Sequence, residues 1–208
     1  MTLFIATTND HKVSEIRAIL GPQSRCLTLT DFPSAPDVIE DANTFAGNAS
    51  KKSRELAQWL CRSSARVPGF VLADDSGLLV DALSGAPGVH SARFAALDTG
   101  QAGNSPAADN NAKLLRLLAD VPFPKRTARF YCALALTSLS DLKTELFEGT
   151  CEGRIGFELK GQGGFGYDPL FTPEGYDYTF GELGEEIKNR LSHRAKALEK
   201  LKHHLLNY

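Results

Sequence analysis

The chain has 208 residues, 42% hydrophobic and 23% charged, a balance that supports a sizeable core and excludes an intrinsically disordered chain. Its formal net charge of -2 argues against a general nucleic-acid binder, so no nucleic-acid partner is expected. Cys26, Cys61, Cys132 and Cys151 form no C-x-x-C pair, which points to free thiols in a reducing, cytoplasmic compartment. No basic leader precedes Leu3, and no apolar run approaches the roughly 20 residues that span a bilayer, so no membrane partner is expected.

In chain order, residues 3–6 read as a buried strand. The polar loop Thr7, Thr8, Asn9, Asp10, His11 and Lys12 follows, and Val13, Ile16, Ile19 and Leu20 then set a helical spacing that Gly21-Pro22 closes. Free N–H groups at such a helix start attract anions, and Thr7, Thr8, Asn9 and Lys12 add donors suited to phosphate; an ordinary capped helix reads the same way. Residues 27–32 are predicted as a second strand. The acidic stretch around Glu40 and Asp41 ends in the capping residues Asn43 and Thr44 and opens a long helix. Phe45, Ala49, Leu56 and Leu60 share one face of it, with Asn48 and Lys52 as a polar track beside them. Residues 61–69 form a polar connection.

Residues 70–73 are predicted as a buried strand that ends at Asp74, Asp75, Ser76 and Gly77. Two adjacent carboxylates at the end of an apolar run call for a cation opposite them, magnesium or lysine, although Asp-Ser-Gly is also ordinary turn chemistry. Residues 78–83 read as a short strand or a turn of helix. Residues 98–108 read as a flexible loop, and Asp109 as the cap of a helix whose Leu114, Leu115, Leu117 and Leu118 face the core. Residues 127–137 are apolar on both sides in their middle, as expected of a central strand, with residues 144–150 returning beside them.

The stretch 161–169 packs four glycines around Phe165 and Tyr167 and ends in Asp168-Pro169. Aromatics on so permissive a backbone suit stacking on a planar base, or else plug the core. Residues 170–172 are predicted as a strand. Thr179 and Glu182 match a capping box for a helix carrying Lys188, and Ser192 precedes a second helix with an apolar stripe through Ala195, Leu198, Leu201 and Leu205. His193 and Arg194 fall in its first turn, where cations oppose the helix dipole unless an anion is present.

Taken together, Thr7-Thr8-Asn9 with Lys12, Thr44-Phe45 with Asn48, Ala49 and Lys52, Ala73 to Gly77, Ala86-Pro87-Gly88 with Ser91-Ala92-Arg93, Gly163 to Pro169, and Lys188 with Ser192-His193-Arg194 resemble the inosine triphosphate pyrophosphatase family, the XTP/dITP diphosphatases. The resemblance implies one such domain over residues 1–208, with a mixed α/β fold: a long central β-sheet with helices and two lobes flanking a nucleotide cleft. It implies a magnesium-dependent homodimer that hydrolyses ITP, dITP and XTP to the monophosphate and pyrophosphate. Carried over by position, Asp75 is the proton acceptor and a metal ligand, Glu40 a further metal ligand, and Ser76 a substrate contact. Thr7 to Lys12, Lys52 and Lys188 are triphosphate contacts, and Phe165, Gly166, Tyr167, Asp168, His193 and Arg194 the base pocket. The acidic approach is shorter than the family's usual form and lacks its glycine, which leaves Glu40 and Asp41 both open as the ligand.

Among competing readings, a non-catalytic nucleotide sensor needs the phosphate loop and base pocket but not carboxylates opposite lysines. A haloacid-dehalogenase-like phosphatase wants a D-x-D nucleophile after the first strand, which Thr7-Thr8-Asn9 does not supply.

Overall fold

A computed structural model of the chain describes residues 2–22, 24–62 and 68–206, so residues 63–67 of the expected connection lie outside the described part. Among the described residues, six strands are hydrogen-bonded in the order β2-β1-β3-β4-β5-β6: β1 Thr2–Ile5, β2 Arg25–Thr28, β3 Phe70–Val80, β4 Thr127–Ser138, β5 Thr144–Ile155 and β6 Phe171–Pro173. β1 runs parallel to β2 (Phe4 opposite Leu27) and to β3 (Phe4 opposite Val71), whereas β6 is antiparallel to β5. The sheet is therefore mixed, as expected. The chain divides into two compact units, residues 1–75, 132–149 and 194–208 in one and residues 76–131 and 150–193 in the other.

In the first unit, α1 Asp10–Leu20 and α2 Phe45–Arg62 supply the long crossovers that parallel strands need. Strand alternation then sorts the core into two layers. Leu3, Ile5 and Leu72 pack with Val13, Ile16 and Leu20 of α1 and with Ala197, Leu198 and Leu201 of α6 His193–Leu205. Phe4, Ala6, Val71 and Ala73 pack on the other side, with Leu56, Ala57 and Leu60 of α2. A second strand at residues 27–32 is not formed in full: the ladder stops at Thr28, and Leu29–Asp31 turn into a 3₁₀ helix in which Asp31 accepts from the Thr28 N–H at 2.7 Å.

In the second unit, Leu78, Val80, Phe94, Leu114, Leu118, Phe130, Leu170, Phe171 and Phe180 form one cluster. Three expectations change here. Residues 98–108 are not one open loop, since α3 Ala96–Thr99 and the start of α4 Ala107–Leu117 take up their ends. α4 begins before Asp109, which sits in its first turn. Leu114 and Leu118 are fully buried, but Leu117, three residues past Leu114 and one before Leu118, is 44% exposed. α5 Phe180–Leu191 opens on the expected capping box, in which the Thr179 N–H donates to Glu182 Oε2 at 2.8 Å.

The largest correction concerns β3. It does not end at the carboxylates; it runs unbroken for 11 residues, with Asp74 and Asp75 in its middle. Gly77 explains part of this course, because a Cβ there would meet Ser91 Oγ at 2.3 Å and the Gly88 carbonyl at 2.7 Å. Ser91 Oγ uses that closeness to donate to Gly88 O and accept from Leu78 N–H.

Candidate active site

Because side chains alternate along a strand, Asp74 and Asp75 leave β3 on opposite faces. This resolves the repulsion expected between neighbouring carboxylates and gives them separate surroundings. Asp74 follows Leu72 toward α1 and α6. There Lys12 Nζ donates to its Oδ1 at 2.5 Å, Arg194 Nε to its Oδ2 at 2.8 Å, and the Cys132 thiol lies 3.3 Å from Oδ2. Burial by itself raises such a carboxyl, but Arg194 and Lys12 outweigh it and hold Asp74 well below the usual carboxylate range. Burial and the Asp74 charge push the Cys132 thiol well up, so it stays protonated and able to donate.

Asp75 follows Ala73 toward α2. Asn48 Nδ2 donates to its Oδ2 at 2.9 Å, and Asn48 Oδ1 accepts from the Ala42 N–H at 2.9 Å. One buried amide thus ties the acidic stretch 40–44 to the Asp75 carboxylate. Glu40 Oε1 accepts from Lys52 Nζ at 2.6 Å, and the same ammonium donates to the Asp74 carbonyl at 2.9 Å. Asp41 instead pairs with Lys51, and its side chain is 65% exposed. Burial pushes the Asp75 carboxyl up to about 6; Lys12, the Asn48 hydrogen bond and Lys52 oppose the rise, and the Glu40 charge adds to it. Of the two acidic candidates, the one whose field reaches Asp75 is Glu40.

The polar stretch after β1 is shorter than expected, since Asp10, His11 and Lys12 already lie in α1. Asn9 caps α1 by accepting from the Lys12 N–H at 3.1 Å, and Thr7 Oγ1 accepts from the Asn9 N–H at 3.2 Å. Thr8, Asn9, Asp10 and His11 are exposed. Arg194 is buried: beyond Asp74, its guanidinium is paired with Glu15 of α1. That pairing supplies the anions needed by a cation in the first turn of α6. Glu15 was assigned no role from sequence, although a carboxylate three residues after Lys12 on the same helix was the available signal.

The second unit gathers the remaining predicted residues. Asp168, 1% exposed, accepts from Lys188 Nζ at 2.6 Å and from the Phe165 N–H at 2.7 Å, and Lys188 Nζ lies 4.3 Å from the centre of the Phe165 ring. The loop needs its glycines: Gly164 and Gly166 have φ of +71° and +62°, and a Cβ on Gly164 would meet Asp168 Oδ2 at 2.2 Å. The Tyr167 hydroxyl donates to the Ser91 carbonyl at 2.9 Å, and the buried His193 ring stacks on Phe130 with centroids 4.8 Å apart. Tyr167 is thus a buried anchor, whereas Phe165 is half-buried. Ser76, the first residue of this unit, is also half-buried. A cavity of about 660 Å³ in this unit, lined by Arg129, Glu152, Phe157 and Tyr176 among others, includes none of these residues.

Among the described residues no cluster of three or more metal-ligating side chains occurs. Two carboxylates, Asp75 and Glu40, remain on the α2 side. An oxygen-only pair of this kind fits magnesium, which binds through one or two carboxylates and takes its other ligands from water and substrate phosphate.

A family model described as the Ham1 family matches residues 3–204. A dITP/XTP pyrophosphatase of Desulforamulus reducens is 49% identical over 201 residues, covering 96% of this chain and 93% of its own. A dITP/XTP pyrophosphatase of Geobacillus kaustophilus is 48% identical, covering 96% and 91%. Among solved structures, the Ham1 protein of Staphylococcus aureus matches with a TM-score of 0.83 at 34% identity, covering 100% of this chain and 99% of that one. A Ham1 protein of Coxiella burnetii matches equally well, with a TM-score of 0.83 at 35% identity and full coverage of both chains.

Proposed function

Because this chain belongs to the Ham1 family, we propose that it hydrolyses deaminated purine nucleoside triphosphates, ITP, dITP and XTP, to the nucleoside monophosphate and pyrophosphate. This activity removes deaminated purines from the nucleotide pool. The observation that carries the reading is Asp75: a buried, elevated carboxylate fixed by Asn48 and within the fields of Glu40, Lys12 and Lys52.

In the reaction a water oxygen bonds to the α-phosphorus, the bond from that phosphorus to the bridging oxygen breaks, and pyrophosphate leaves. Asp75 takes the proton of the attacking water; a carboxyl near 6 is a stronger base than an ordinary aspartate and is still ionised at neutral pH. Asn48 holds Oδ2 and leaves Oδ1 for that work. Asp75 and Glu40 are the residues that would hold magnesium, which when bound would supply neutralisation of the triphosphate and of the charge that develops on pyrophosphate. Lys12, Lys52, the half-buried Thr7 and the exposed residues Thr8 to His11 carry donors for the phosphates. Arg194, expected in the base pocket, is instead paired with Asp74 and Glu15 and acts through Asp74, keeping that carboxylate charged so that it holds Lys12.

Phe165, Gly166, Tyr167, Asp168 and His193 are the base-recognition set, with Ser76 a further substrate contact; Lys188, expected on the triphosphate, joins this set because its ammonium is held by Asp168 and lies over the Phe165 ring. Donors aimed at a purine O6 would face an amino group if adenine entered, which penalises ATP. We also propose a cytoplasmic homodimer; the resemblance to the inosine triphosphate pyrophosphatase family supports it, and the four unbridged cysteines fit a reducing compartment.

Pyrophosphate release from ITP, XTP, dITP, ATP and GTP, with Mg²⁺ and with EDTA, tests this reading. Metal-dependent release favouring the deaminated purines is expected. Equal release from all five would discard the base recognition, and nucleotide binding without release would discard the hydrolase.

A further inference from the structure

The residue left over by these roles is Asn111, in α4 of the second unit. It is 4% exposed, and its Nδ2 donates to the Gly166 carbonyl at 2.9 Å. Its Oδ1 is buried and has no hydrogen-bond partner among the described residues. Turning the amide over would set Oδ1 against the Gly166 carbonyl, so the orientation that leaves one acceptor unsatisfied is the better of the two. A buried amide that leaves an acceptor unmatched in order to hold one loop carbonyl calls for an explanation.

The peptide plane supplies it. The Gly166–Tyr167 bond is trans, since Ala86–Pro87 is the cis bond found among the described residues. In a planar trans peptide the carbonyl and the following N–H point in opposite directions. A Gly166 carbonyl held on α4 therefore turns the Tyr167 N–H away from α4, and that N–H meets no acceptor among the described residues. On its other side the Tyr167 ring is anchored by its hydroxyl on the Ser91 carbonyl. With φ of +62° at Gly166, this part of the loop holds a conformation that few other residues adopt. The peptide is thus fixed at both ends, with one backbone donor free.

We propose that Asn111 is a positioning residue for base selection: by holding the Gly166 carbonyl it aims the Tyr167 N–H at the 6-oxo group of the purine. The proposal rests on the base-recognition reading above and names the donor within it. A fixed N–H donates to a carbonyl oxygen and rejects a 6-amino group, which presents hydrogens of its own. Asn111 touches neither substrate nor the reacting atoms.

The test compares kcat/KM for dITP and for purine 2′-deoxyriboside triphosphate, which has no 6-substituent, in the wild-type protein and in Asn111→Leu. Leucine matches asparagine roughly in size and removes both the clamp and the unmatched acceptor. The expected result is a loss of about tenfold on dITP, the worth of one hydrogen bond, with less than about a twofold change on the unsubstituted purine. Equal losses on both substrates, or none on either, would overturn the proposal, since a merely structural role makes no distinction between them. If the leucine variant does not unfold cooperatively, Asn111→Ala is read in the same way. Failure of the wild-type protein to prefer dITP over dATP would overturn the underlying reading, and it is seen before any variant is made.

Discussion

Replacing Asp75 by Asn should abolish turnover and, at neutral pH without metal, make the protein more stable. The carboxyl is raised from 3.8 to about 6, so the folded state holds its proton more tightly than the unfolded state does. Below pH 3.8 both states are protonated and the group has no effect. As pH rises, the unfolded chain ionises first, and stability falls progressively until the folded carboxyl ionises too. The shift of 6 minus 3.8 is about 2.2 units, which at 1.36 kcal/mol per unit is about 3 kcal/mol above pH 7 and about 1 kcal/mol at pH 4.5. Asparagine has the same shape, can still accept from Asn48 Nδ2, and never ionises. At roughly 2–4 °C per kcal/mol for a chain of this size, the variant should melt roughly 6–12 °C above wild type at pH 8 in EDTA, with the gap narrowing to a few degrees at pH 4.5. Thermal melts at the two pH values, paired with pyrophosphate release from dITP, give both readings. A gap that does not grow with pH would refute the account of Asp75 as a buried carboxylate ionised at a cost, and a variant that keeps more than about 1% of the rate would remove it as the base.

Three further outcomes follow from the same contacts. Arg194→Met should cost about 3–5 kcal/mol in urea unfolding, because it leaves Asp74 and Glu15 without their shared cation; a small stability change with a large rise in KM would instead place Arg194 on the substrate. Asn48→Ala should lower kcat for dITP by roughly 10–100-fold, since it releases both Asp75 and the stretch that carries Glu40, and an unchanged kcat would show that the tether is idle. Gly77→Ala should destabilise by about 1–3 kcal/mol through its clash with Ser91 and the Gly88 carbonyl, measured by the urea midpoint at constant m-value; a neutral result would mean that this turn yields easily.

Much was legible along the chain because it depends on neighbours in sequence. The apolar run Leu3 to Ala6, the Thr179–Glu182 box and the apolar stripe of α6 are local patterns, and each appears where its spacing puts it. The glycine-aromatic loop and the paired aspartates were likewise conspicuous by composition alone. What residue order did not decide was the environment of each charge. Asp74 and Asp75 are chemically identical and adjacent; a continuing ladder sends one to Arg194, 120 residues away, and the other to Asn48. A local reading ended that strand at the carboxylates because it had no view of their partners. Leu117 read as a core residue for a related reason: spacing marks an apolar arc, but the neighbours packed against α4 set its width. Glu40 and Asp41 could not be separated by sequence, since only the fold sets Glu40 on Lys52 within the field of Asp75 and leaves Asp41 in water. Local geometry comes from the backbone and near neighbours, whereas desolvation and ion pairing come from groups that only the folded chain brings together.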